Sequence, residues 1–154
     1  MHISNQSAGI LLYRNINNHI EFFLVHPGGP FFKNKDDGYW SIPKGEFLPD
    51  EDPLTAAKRE FEEETGAPIQ ANKFIKLTPI KQKSGKIVHA WAAGGNIDAN
   101  IIVSNTFEME WPPKSGKLVS FPEIDRAGWF GIDEANIKIN AAQKALIDEL
   151  LTLI

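Results

Sequence analysis

The sequence contains no cysteine, which excludes a disulfide framework, thiolate catalysis and a cysteine-based zinc site. No apolar run approaches the roughly 20 residues that a membrane-crossing helix needs. The opening stretch MHISNQSAGILLYR has neither the charged start, the long apolar segment nor the cleavage site of a secretory leader. Basic residues form no block or stripe, and 16 Lys and Arg against 20 Asp and Glu leave a formal charge of −4. Tight binding to duplex nucleic acid needs clustered cations, so neither that partner nor a membrane is expected. These absences lead us to expect a cytoplasmic enzyme. What is present is ordinary for a globular protein: 154 residues, 42% apolar and 23% charged, enough for one domain with a real core.

The clearest local structure lies in residues 45–67, GEFLPDEDPLTAAKREFEEETGA. Asp52 can cap the first free N–H groups of a helix, Pro53 suits its first position, and Gly66 suits a left-handed exit. A helix is therefore expected over residues 53–65. At about 100° per residue, Leu54, Ala57 and Phe61 form an apolar stripe, while Glu60, Glu63 and Glu64 share a neighbouring face within reach of a common point. Glu62 lies nearly opposite.

Like charges near the negative end of a helix dipole repel one another, each costing a few tenths of a kcal/mol or more. A hard divalent cation offsets that repulsion, because Mg²⁺ takes oxygen ligands and is commonly completed by substrate phosphates. Helical spacing by itself is equally the mark of a solvated acidic face. Arg59 on the helix alone would pair with Glu63 at i,i+4.

The wider pattern separates these readings. From Gly45 the chain runs as G-x5-E-x7-R-E-U-x-E-E-x-G-U, with Glu51, Arg59, Glu60, Glu63, Glu64 and Gly66 in place; only Phe61, aromatic, and Ala67, small, depart from the aliphatic positions. This string resembles the signature of the Nudix hydrolases. The resemblance implies an α/β (α+β) fold, a Nudix-type α/β/α sandwich around a mixed sheet, as a single domain over residues 1–154. It implies hydrolysis of a nucleoside diphosphate linked to another group, hence a small-molecule nucleotide substrate. Glu60, Glu63, Glu64 and the Gly45 carbonyl would hold Mg²⁺ or Mn²⁺, Glu64 or Glu123 would act as base, and Arg59 would clamp Glu51 to the helix.

Around the box, residues 7–13 and 20–25 read as a hairpin across an Asn-rich turn. Residues 26–38 (HPGGPFFKNKDDG) are a loop, whose Phe31, Phe32, Lys33 and Lys35 either border a nucleotide site or are merely exposed. The string WSIPKG reads as a short strand over residues 40–44 running into Gly45, with Trp40 in the core and Lys44 beside the metal loop, where it would meet a substrate phosphate as a point charge. Residues 72–82, weakened by Pro79, and residues 86–93 look like a second hairpin; His89 reads as a satisfied strand histidine and Trp91 as a further aromatic able to stack on a base. Residues 101–104 are a short apolar run. Glu108 and Glu110 alternate with Phe107, Met109 and Trp111 as on a strand with one polar face. Trp129 opens a last short strand, and residues 140–154 form a docking helix with Asn140 as cap and Gln143 in a capping box.

Glu123, six residues before Trp129, resembles a glutamate of the dinucleoside tetraphosphate-cleaving branch and has a better claim to approach the metals than Glu108 or Glu110. The branch resemblance points to dinucleoside polyphosphates such as diadenosine tetraphosphate. A housecleaning hydrolase of (deoxy)nucleoside triphosphates or nucleotide sugars is the alternative within the family. A nucleotide-sensing domain without turnover is the alternative of another class, and the complete set of box glutamates speaks against it.

Overall fold

A computed structural model describes residues 5–154; residues 1–4 of the opening stretch lie outside it. Strands β1 (Gln6–Ile16) and β2 (His19–Pro27) form the expected hairpin. Its turn residues Asn17 and Asn18 both have positive φ, 52° and 68°, the conformation that a two-residue turn matched to strand twist requires and that asparagine tolerates. Strand β3 (Lys44–Glu46) pairs with the start of β1 and feeds helix α1 (Pro53–Thr65). Strands β4 (Ile75–Lys76) and β5 (Ile80–Lys81) lie along β6 (Ile87–Gly94), which runs parallel to β1. Strand β9 (Ile124–Gly131) pairs with β2, completing a seven-stranded mixed sheet with the path β4-β6-β1-β2-β9.

Period-two alternation divides the core between two faces. Ala8, Ile10, Leu12, Phe23 and Trp91 pack under Ala56, Ala57 and Phe61 of α1. On the other face Leu11, Phe22, Leu24, Val88 and Ala90 pack on α2 (Ile132–Lys138) and α3 (Lys144–Leu153) through Ala135, Leu146, Ile147 and Leu150. The α/β/α sandwich expected from the sequence is therefore present. Among the described residues no helix is long and apolar enough to cross a membrane.

Four local expectations differ in detail. Around Pro79 the 72–82 stretch breaks into β4 and β5, the bend that a missing N–H imposes. Residues 40–43 make only isolated bridges, Val25 with Ser41 and Trp40 with Ile139. The last strand is longer than the Trp129 motif indicates, starting at Ile124. The Asn140 side chain does cap, accepting the Ala142 N–H, but it opens a 3₁₀ turn (Ala141–Gln143). That turn swings Gln143 inward, where its amide bridges Ser41 and the Ile42 N–H instead of closing a capping box.

Outside the main sheet, β7 (Thr106–Glu110) and β8 (Leu118–Pro122) form a separate two-stranded arm. Phe107 faces Phe121, and Met109 faces Val119. The apolar run 101–104 is an extended strap leading to the arm, with Ile101 and Val103 exposed.

Candidate active site

Helix α1 is terminated by the chemistry its sequence provides. The Asp52 carboxylate accepts the Thr55 N–H at 3.0 Å, and Gly66, at φ 82°, turns its N–H to the Glu62 carbonyl. Burial of Phe61 and Ala57 fixes which face meets the sheet, and so aims Glu60, Glu63 and Glu64 toward β3 and the loop that follows it. Arg59 is the clamp the box implies. Its Nε and Nη2 donate to the two carboxylate oxygens of Glu51, each at 2.9 Å, and its Nη1 donates to Glu60 at 2.9 Å and to Glu63 at 3.1 Å. Those four contacts hold the guanidinium firmly in its charged form.

The remaining charge is poorly compensated. Glu60 is 7% exposed; burial and the Glu63 charge push its carboxyl up to about 7, against the pull of Arg59. Glu64 is 9% exposed; burial and the Glu60 charge push it up to about 8, against Lys44 and the Lys44 backbone N–H it accepts at 3.2 Å. Glu123 belongs to the same field, its carboxyl raised by burial and then by Glu63, and its charge acts in turn on Glu60 and Glu64. A methyl group at Gly45 would overlap the Glu60 carboxylate, so glycine at that position lets the acid lie against the loop. Buried hard-oxygen donors with excess negative charge suit a divalent cation. Because Glu60 and Glu63 both turn to Arg59, no group of three acidic or histidine side chains among the described residues is drawn around one point. In place of the convergence on one point expected from helical spacing, these acids share an electrostatic field.

Beside this field lies a small pocket of about 170 Å³, bordered by Ser41, Lys44, Glu64 and Glu123. It adjoins a larger cleft of about 580 Å³ walled by Phe32, Tyr39, Lys83 and Gln143. Pro27, Tyr39, Ser41 and Lys44 line both. Lys44 thus stands where the two meet; its ammonium has no carboxylate partner among the described residues, and burial lowers its pKa against the pull of Glu64.

The other sequence candidates separate. Phe32 lines the cleft with Tyr39, ring centroids 6.3 Å apart. Phe31 instead packs edge-on to Trp111 of the arm. Trp91 is buried in the core beneath α1, where no base can reach its face; strand alternation puts it inside, which corrects its reading as a stacking residue. Lys35 lies over Tyr39 at 5.8 Å. Glu110 accepts the Lys114 and Gly116 N–H groups at the tip of the arm, and Glu108 is exposed on it. His89 is satisfied by Gln6 at 2.6 Å, and Trp40 is core, both as read. Tyr39, Ser41 and Lys83 were not singled out in the sequence, and Gln143 was read only as a helix-capping residue. Only the WSIPKG string, which contains Ser41 and directly follows Tyr39, signalled any of them.

The chain matches the NUDIX domain family model over residues 4–150. No curated protein matches it in sequence. Among solved structures, it is similar to the Caenorhabditis elegans Ap4A hydrolase in a binary complex, with 23% identity, TM-score 0.67 and coverage of 96% of each chain. It is also similar to the NUDIX domain of Shewanella oneidensis NrtR complexed with ADP ribose, at 14% identity and TM-score 0.61 over 97% of this chain and 86% of that one. A third likeness is to RenU, a Nudix hydrolase from M. smegmatis, at 19% identity and TM-score 0.60 over the same shares of the two chains. With its box, clamp and sandwich in place, the chain belongs to the Nudix family and is a hydrolase acting on phosphoanhydride bonds.

Proposed function

We propose that this chain is a divalent-cation-dependent pyrophosphohydrolase of nucleoside diphosphates linked to another group, with dinucleoside polyphosphates such as diadenosine tetraphosphate as its substrate class. The observation that carries the reading is the meeting of a four-carboxylate field with a cleft of about 580 Å³ at Lys44, which lines both the cleft and the small pocket beside the acids. The volume of the cleft and its Phe32–Tyr39 wall suit a nucleotide that extends well beyond the bond being cut, and the likeness to an Ap4A hydrolase supports the same class.

A phosphoanhydride resists water because its oxygens are already negative. Glu60, Glu63 and Glu64, with the Gly45 carbonyl, would hold Mg²⁺ or Mn²⁺, which when bound neutralises phosphate charge and acidifies a water. Lys44 adds a fixed positive charge where the phosphates enter the small pocket. Arg59, tied to Glu51, keeps the loop and helix in register while the acids change partners. Glu64 or Glu123 accepts the proton of the attacking water; the new P–O bond forms as the anhydride P–O bond breaks, and the leaving phosphate departs with its electron pair. Glu64 is well placed for this, since one of its oxygens already receives the Lys44 N–H and holds the carboxylate in orientation.

The test is product release from diadenosine tetraphosphate, (deoxy)nucleoside triphosphates, ADP-ribose and nucleotide sugars, with and without Mg²⁺. Metal-dependent cleavage fastest on the dinucleoside compound is expected, and Glu63→Gln should lower kcat by about 10²-fold or more with the fold intact. Faster cleavage of ADP-ribose would shift the substrate class toward nucleoside diphosphate sugars, the ligand type of the Shewanella neighbour. Tight nucleotide binding with no turnover, or a Glu63→Gln enzyme unimpaired at saturating Mg²⁺, overturns the proposal.

A further inference from the structure

Glu123 enters the acidic field from outside the helix that carries the other carboxylates, so its placement needs a separate cause. That cause lies where the strap runs into the arm, at residues 103–105. At the C-terminal end of α1 the Glu63 and Thr65 carbonyls accept the backbone N–H groups of Asn105, at 2.8 Å, and Val103, at 2.9 Å. These are helix-end carbonyls that would otherwise lack an intrahelical partner. The strap passes so close that a Cβ on Gly66 would lie 2.7 Å from the Val103 carbonyl oxygen.

From the strap, bonds run directly to the segment bearing Glu123. The Asn105 carbonyl accepts the Glu123 N–H at 2.9 Å. The Ser104 hydroxyl oxygen accepts the Ile124 N–H at 3.1 Å, while its proton faces the Asn105 carbonyl at 2.9 Å and the Ile124 carbonyl at 3.2 Å. On the far side the Glu123 carbonyl accepts the Gly28 N–H at 2.8 Å. Both peptide groups of Glu123 are thereby tied, and one of the ties is a side chain that can be removed without touching the backbone.

We propose that Ser104 is a positioning residue that sets Glu123 against the box glutamates by fixing the Ile124 N–H and the strap carbonyl beside it. The proposal rests on the hydrolase reading above for the catalytic use of Glu123. A reacting carboxylate must be held within about 0.5 Å of its productive place, and Glu123 sits at the root of a 17-residue excursion, the arm and its turn between Asn105 and Glu123. Without the hydroxyl, the root of the arm retains its Asn105–Glu123 bond but loses the lateral tie to Ile124, and the Glu123 carboxylate gains freedom relative to Glu63 and Glu64.

The experiment pairs hydrogen exchange with a double-mutant cycle. In the protein without nucleotide, Ser104→Ala should speed amide exchange at Glu123 and Ile124 roughly ten-fold while amides of β1 and β6 are unchanged. In turnover, Ser104→Ala should lower kcat about ten-fold with KM nearly constant, Ser104→Thr should restore most of it, and Ser104→Ala should cause no further loss in a Glu123→Gln background. Unchanged exchange at residues 123 and 124 overturns the proposal. So does an equal kcat loss in both backgrounds, which would mark a general structural role. A wild-type protein that cleaves no nucleotide would instead sink the hydrolase reading and the catalytic use of Glu123 with it, while the exchange measurement alone would still decide whether Ser104 holds that backbone.

Discussion

Replacing Glu64 with glutamine tests whether the acidic face is under electrostatic load. Glutamine keeps the shape, and its carbonyl oxygen still accepts the Lys44 backbone N–H now received at 3.2 Å, so charge is the main thing removed. Burial first, then the Glu60 charge, raises Glu64 from 4.5 to about 8. The folded value lies above the unfolded one, so between those pH values the folded chain binds more protons than the unfolded chain. Stability contributed by the neutral acid is complete below pH 4.5 and is lost as pH rises through the folded value. At 1.36 kcal/mol per pH unit, the span from 4.5 to about 8 amounts to about 5 kcal/mol at full ionisation. In chelator, wild type and variant should therefore be equally stable near pH 4.5, and the variant more stable by several kcal/mol at pH 8. Urea midpoints across that range measure the difference. Subtracting the two curves cancels groups common to both, including Glu51 and Asp52, whose lowered pKa values act at more acid pH, and His89, likewise lowered. Saturating Mg²⁺ should reverse the order, because an ion bound only by the folded wild type adds RT ln(1 + [L]/Kd). An advantage of the variant that is the same at pH 5 and pH 8 refutes the reasoning.

Two further substitutions probe the neighbours of that carboxylate. Arg59→Lys keeps the charge but replaces the fork that grips both Glu51 oxygens; we expect a loss of about 1–2 kcal/mol in urea unfolding, and unaltered stability would mean that the clamp contributes nothing. Lys44→Met keeps the apolar stem and removes the ammonium at the junction of pocket and cleft; KM should rise roughly ten-fold with Mg²⁺ affinity little changed, and an unchanged KM would remove Lys44 from the phosphate path.

The box helix was legible because its determinants are local. Asp52, Pro53 and Gly66 act on residues within one turn, and the face shared by Glu60, Glu63 and Glu64 follows from helical period alone. The β1–β2 hairpin was legible from its β-rich runs, but the division of β1 between two core faces was not, since Ala8, Ile10 and Leu12 alternate with the equally apolar Leu11. The walls of the cleft were not. Tyr39, Lys83 and Gln143 come from three distant segments that meet only after β6 pairs with β1 and α3 docks beneath them. Gln143 shows how a correct local rule yields a wrong contact. Asn140 caps as expected, but the 3₁₀ turn that follows has fewer residues per turn than an α-helix and rotates the glutamine from the rim of a helix into the core. Trp91 shows the complementary limit. Alternation groups it with His89 and Ala93 on one face of β6, yet no local signal tells which face α1 covers.

Glu123 sets the boundary between the two kinds of information. It lines the small pocket together with Glu64, but nothing in its own sequence surroundings aims it there. The placement comes from backbone groups of the strap and of Gly28, and backbone pairing leaves a residue-type trace only where a side chain would obstruct it. Two such traces exist. A Cβ at Gly28 would overlap the Pro122 carbonyl, and one at Gly66 would press on Val103. Gly66 was read as a helix terminator and Gly28 as loop composition, and both readings hold. Each glycine also permits the close approach that carries a carboxylate from outside the box to the carboxylates within it, so the same residues that end one element set the distance to the next.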